Sequence, residues 1–164
     1  MTIVSNTSPI SNLAVIGQLD LLQQVYGKII IPQAVADEIA KVTAIYGQAA
    51  AVPHQAWITI QSVGDLTMVE KLRSKKLDLG ESEAIALAHE LGAELLLIDE
   101  QLGRKITVNE GLNITGLVGV ILEAKNKEFI SQIKPRLDAL MMQAKFRISS
   151  QLYAKVLYLA DEVP

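Results

Sequence analysis

The chain has 164 residues, half of them apolar, with 15 basic and 18 acidic side chains for a net charge of −3. That length suits one domain with a full core. The lack of cysteine excludes disulfides and thiolate metal sites, and no apolar run approaches the ~18 residues needed to span a bilayer. A pI near 5.4 argues against holding nucleic acid through a general positive field, yet leaves room for an enzyme that meets it through metal ions.

Mean hydropathy is +0.29, so the apolar surplus points to a buried sheet, a subunit interface or both. The first residues lack the basic segment and long apolar core of a signal peptide, which predicts a cytosolic protein. In chain order, TIVS (2–5) reads as a strand that runs into the polar cluster Asn6, Thr7, Ser8. A helix is expected over 9–26, opened by Pro9 and N-capped by Ser8. KIII (28–31) is a second strand, followed by a helix over 32–45. A looser stretch with Gly47, Pro53 and Gly64 contains the strand-like WITIQSV, and helical periodicity resumes over 68–76 and 81–91. ELLLI (94–98) is a buried-strand signal, then come the helix-like QLGRKITVNE and the short strand LNIT. From Leu117 onward the pattern is helical only: LVGVILEAKNK, ISQIKPRLDALMMQAKF and SSQLYAKVLYLADE. Strands separated by helices predict a mostly parallel sheet covered on both faces. The expectation is one three-layer α/β/α domain, with its core over about 1–116 and a helical extension over 117–164.

In open sheets of this kind ligands bind beyond the carboxyl ends of the strands. Asn6 to Ser8, the helix after KIII, and Asp99 with Glu100 therefore come first. Asp99 follows LLLI, where a turn or N-cap role explains it as well as a site does. In PQAVADEIAKV the buried stripe is Val35, Ile39 and Val42; Glu38 lies about 60° from its centre while Asp37 points to water. In LGESEAIALAHELG, Glu81 and Glu83 flank the stripe of Ala84, Leu87, Ala88 and Leu91, with Ser82 facing away. Either acid also suits the positive helix end, and spacing leans to Glu81 without deciding. Acids gathered in one crevice raise one another's pKa unless a cation neutralises them. Oxygen donors suit Mg²⁺ or Mn²⁺, and the implied chemistry is metal-assisted phosphodiester hydrolysis.

Elsewhere the residues read as structural. His54 and His89 have no ligand-like spacing and are expected at the surface. Trp57 suits edge-strand packing better than base stacking, and Gly116 and Gly119 suit close helix packing. Leu140, Met141, Met142, Val156, Leu157 and Tyr158 leave apolar surface on the last helices, which predicts a homodimer.

The segments VSNTSPI, IPQAVADEI, GESEAIALAHELGAELLLIDE followed by GRK, TGLVGVILEAK, KPRLDAL and FRISSQLY together resemble the PIN-domain family. They are most similar to its prokaryotic branch of predicted nucleic-acid-binding proteins related to VapC-type toxins. The resemblance covers nearly the whole chain in order. It implies a PIN-like fold whose acids bind Mg²⁺ or Mn²⁺ to cleave single-stranded RNA or DNA, with an antitoxin protein as companion. Carried over by residue, the family's acids fall on Asn6, Glu38, Glu81 or Glu83, and Asp99. Ser8 is the accompanying hydroxyl, and Arg104 and Lys105 are candidates to approach a phosphate, or else solvated helix residues. Where such nucleases have an aspartate after the first strand, this chain has Asn6. An amide oxygen can ligate a metal but adds no charge and is no general base. Two readings follow: a metal-dependent ribonuclease weakened at its first position, or a PIN-like module that binds RNA or a protein without cutting. A small-molecule nucleotide binder is disfavoured, since no glycine-rich loop follows a strand.

Overall fold

The computed structural model describes residues 1–46, 52 and 55–164. Strand β1 (Ile3–Ser5) leads into α1 (Thr7–Val15) and α2 (Asp20–Tyr26). Strand β2 (Ile29–Ile31) is followed by α3 (Gln33–Tyr46), and β3 (Ile58–Ile60) by α4 (Leu66–Ser74) and α5 (Leu79–Leu91). Strand β4 (Leu95–Leu97), α6 (Gln101–Asn109) and β5 (Ile114–Thr115) precede the three last helices, α7 (Leu117–Asn126), α8 (Lys134–Gln143) and α9 (Ser150–Leu159).

The five strands form one sheet in the order β3-β2-β1-β4-β5, and every pairing is parallel. The registers set Val4 beside Ile30, and Ile3, Val4 and Ser5 beside Leu95, Leu96 and Leu97. The central strand β1, Ile3, Val4 and Ser5, is buried throughout, as expected of a strand in a parallel sheet whose two faces are both covered. Ile10, Leu13, Leu22, Ile85, Leu87 and Leu117 supply that cover and are fully buried themselves. The chain order reverses at β1 and β4, so the ligand crevice of an open sheet falls between their carboxyl ends.

Several local expectations need correction. The helix foreseen over 9–26 is two helices, α1 and α2, because Gly17 takes a left-handed conformation (φ +69°) between them. The first of these begins at Thr7, with Asn6 at the N-cap position, so Ser8 lies inside the helix and is not its cap. Ser82, expected to face water, is fully buried: α5 packs against α3, α4, β1 and β4, and so has almost no solvent side. Leu140, Val156 and Leu157, counted as spare apolar surface, belong to the core; Met141, Met142 and Tyr158 remain exposed.

Other readings hold. Trp57 is buried beside edge strand β3, with Nε1 donating to Gln55 Oε1 at 3.0 Å, and His89 is exposed. His54, Gly47 and Pro53 lie outside the described residues. No described helix is long and apolar enough to cross a membrane.

Candidate active site

Beyond the ends of β1 and β4 lies a crevice of about 400 Å³, lined by Asn6, Thr7, Ser8, Ser11, Glu38, Asp78, Glu81, Asp99, Glu100, Phe146 and Arg147. Five of these are carboxylates drawn from three separate stretches of chain, and Arg147 is the one cation among the wall residues.

Asn6 ends β1: its backbone N–H donates to Leu97 O at 2.9 Å, which holds it against the neighbouring strand. An asparagine at an N-cap ordinarily spends its side chain on the first free amides of the helix. Here it makes no such bond, and its buried Oδ1 has no hydrogen-bond partner among the described residues. A buried, unpaired carbonyl oxygen costs on the order of 1–3 kcal/mol. The chain carries that cost at the wall of the acidic crevice.

Glu38 projects from the second turn of α3. Its Oε2 accepts from Thr7 Oγ1 at 2.5 Å, and its carboxylate lies against Gly80 of α5, where a side chain would collide with it. Asp99 stands just past β4. Its Oδ1 accepts from the N–H of Leu117 at 2.8 Å, which caps the start of α7, and its Oδ2 faces Ser8 Oγ at 3.4 Å. Gly116 makes room for this carboxylate, since a Cβ there would sit 2.5 Å from Oδ1. Burial pushes the Asp99 pKa above its usual range, against the opposing pull of the Leu117 amide, Arg104 and Ser8.

The two glutamates left undecided by spacing go to different places. Glu81 reaches the crevice and is only 9 % exposed; Glu83 turns to the other side, where its Oε1 accepts from the N–H of Ala34 at 3.2 Å in the first turn of α3. Glu81 also has a structural task. It forms a capping box with Asp78, its amide donating to Asp78 Oδ1 at 2.8 Å and its Oε2 accepting from the Asp78 amide at 3.1 Å. Its pKa is pushed up to about 7, first by burial and then by the charges of Asp78, Glu100 and Glu38, although the Asp78 amide pulls the other way.

Of the remaining candidates, Ser8 accepts from Asn12 Nδ2 at 2.9 Å, which turns its hydroxyl toward Asp99. Arg104 is exposed beside Asp99 and Gly116, whereas Lys105 is exposed and lines neither this crevice nor the hollow next to it. Sequence reasoning reached Thr7 only as part of the cluster Asn6 to Ser8 and missed Ser11, Asp78, Phe146 and Arg147. Asp78 was legible as the first residue of the D-x-x-E capping pattern in DLGE. Phe146 and Arg147 come from the loop between α8 and α9, and nothing local marks them as neighbours of β1.

The donor chemistry fits a hard divalent cation: carboxylate oxygens of Glu38, Glu81 and Asp99, and an amide oxygen left without a partner. Among the described residues no three acidic or histidine side chains stand close enough to form a direct coordination set.

No curated protein and no solved structure is a significant match to the chain. A family model described as a PIN domain matches residues 2–162, nearly the whole length. An all-parallel sheet between helices, with acids gathered at the carboxyl ends of its central strands, agrees with that match: the chain belongs to the PIN-domain family, a nuclease-like nucleic-acid-binding fold.

Proposed function

We propose that this protein is a divalent-metal-dependent nuclease acting on single-stranded RNA, with Mg²⁺ or Mn²⁺ as cofactor. The observation that carries the reading is the buried, unpartnered Oδ1 of Asn6 in a wall of carboxylates, a pairing that wastes free energy unless a cation enters. Asn6, Glu38, Glu81 and Asp99 would hold the ion, in part through its waters, and Glu83 is left to the helix start it caps. The bound ion supplies an activated water and neutralises charge developing on the phosphate. Thr7 fixes the Glu38 carboxylate, Ser8 orients Asp99, and Arg104 approaches the phosphate from the Asp99 side. Because Asn6 adds no charge, binding of the ion is weaker than four acids would give, and turnover is slow. The resemblance to VapC-type proteins adds an antitoxin-like protein partner and action in the cytosol. The exposed Met141, Met142 and Tyr158 support a homodimer, which a light-scattering mass of one chain would overturn.

The test is cleavage of labelled single-stranded RNA with Mn²⁺ or Mg²⁺, with chelator, and with Asp99→Asn. Metal-dependent cleavage lost in the variant is expected. Binding without cleavage would favour the non-catalytic module instead, and cleavage surviving both chelator and substitution would mark a contaminant. Asn6→Asp is expected to raise the cleavage rate at limiting metal.

A further inference from the structure

A second hollow of about 460 Å³ adjoins the acidic crevice, within the ~300–1,000 Å³ range of ligand pockets. The two share Asp99, Phe146 and Arg147 as a common wall. Their charges are opposite. The crevice gathers five carboxylates, whereas the hollow is bordered by Arg104, Arg147 and Lys155 with Asp99 as its one acid. None of these three cations takes part in an ion pair among the described residues, although the chain as a whole is acidic. Apart from Thr115 the rest of the hollow is apolar, with Leu122 of α7 and Leu159 of α9 among its walls.

The shared wall is held in place by local backbone geometry. Helix α8 ends in a left-handed residue, Lys145 (φ +57°), and the N–H of Phe146 returns to Leu140 O at 3.0 Å. This closed cap sets the position of Phe146 and Arg147 before any ligand arrives. Phe146 is half-buried, one of two phenylalanines in the chain, and it borders both cavities.

We infer that this hollow is a nucleotide subsite: one base of a single-stranded nucleic acid lies against Phe146, and the phosphates flanking it meet Arg104, Arg147 and Lys155. The inference rests on the nuclease reading above and deepens it. Guanidinium and ammonium groups, Arg104 already beside Asp99, around a mostly apolar floor with an aromatic edge match a splayed nucleotide, whose base is apolar on its faces and whose backbone is anionic. A strand whose scissile phosphate occupies the crevice passes directly into the hollow across the wall they share. A duplex cannot enter in this way, because its bases are stacked and paired.

The test uses the full chain. Fluorescence anisotropy in chelator measures affinity for a labelled single-stranded oligonucleotide and for the matching duplex, and cleavage with Mn²⁺ gives kcat and KM. Phe146→Leu is expected to weaken single-strand binding about tenfold and to raise KM by a similar factor with kcat little changed, while duplex binding is unaffected. Lys155→Ala, at an exposed position that does not endanger folding, is expected to reduce the slope of log affinity against log salt by about one. Wild-type affinity, salt slope and KM in both variants would overturn the subsite while leaving the nuclease intact, and would point the hollow toward a protein partner. Wild-type protein that neither binds nor cleaves a single strand would overturn the subsite and the nuclease reading together.

Discussion

Gly80 is the position at which the site can be disturbed while the fold is left standing. It lies in the first turn of α5, and the Glu38 carboxylate occupies the space that its side chain would fill. In Gly80→Ala the new methyl would collide first with Oε1 of Glu38 and would stand 2.6 Å from its carboxyl carbon, where ordinary contact begins at 3.4 Å, so the carboxylate must retreat by more than roughly 1 Å. The colliding atoms are the far end of a flexible side chain, and the backbone has no need to move. Alanine in place of a helical glycine contributes about 0.5–1 kcal/mol to stability. Strain or loss of the Thr7 bond to Glu38, a charge-assisted bond of 2.5 Å, costs about 1.5–3 kcal/mol. The two partly offset each other, and a net cost of about 1 kcal/mol lowers the melting temperature by roughly 2–4 °C in a chain of this size. Activity is far more sensitive: a misplacement near 1 Å at a group that positions the reaction costs on the order of 100-fold. Thermal melting and Mn²⁺-dependent cleavage of single-stranded RNA, measured on the same preparation, check both halves. A Gly80→Ala protein that cuts at the wild-type rate would show that Glu38 is not part of the machinery, or that its present position does not matter.

Glu83→Gln weakens the acceptor for the Ala34 amide at the start of α3 and is expected to cost about 0.5–1.5 kcal/mol of stability with cleavage within about twofold of wild type. A loss of cleavage comparable with that of Asp99→Asn, read in the same assay, would return Glu83 to the site. The raised pKa of Glu81 gives a signed pH dependence. The unfolded chain releases this proton near pH 4.5 and the folded chain holds it to about 7, so folding stability falls as pH rises across that interval. In chelator the fall is expected to reach about 2 kcal/mol, or roughly 4–8 °C in melting temperature. Saturating Mn²⁺ should reverse it, since a ligand that binds only the folded state restores stability. A pH dependence equally steep in Glu81→Gln would assign the effect to another group.

Periodicity and strand composition made the frame of this protein legible. The apolar runs of β1, β2 and β4, the helices between them, and Asn6 and Asp99 just beyond strand ends are local features, and a local reading reaches them. The same reading placed Glu38 at the edge of its buried stripe and Asp37 in water, as the structure has them. It failed where the answer depends on what an element packs against. Ser82 sits opposite the apolar stripe of its own helix, yet it is buried because α3 and α4 cover that side. Glu81 and Glu83 flank the apolar stripe on opposite sides, and spacing leans to Glu81 without deciding. They part because one faces the ends of β1 and β4 and the other faces the first turn of α3.

From its sequence alone, then, the chain determines an alternating α/β order and the acids that follow its strands, since helix and strand periods and turn residues act over a few positions. Only the tertiary structure decides which acids share a cavity, that the Asn6 oxygen has no partner, and that Phe146 and Arg147, more than a hundred residues from Asn6, close the same crevice. A residue's own element sets the direction of its side chain. What it meets there is set by contacts between segments far apart in the chain, and these exist only after the sheet and its helices have assembled.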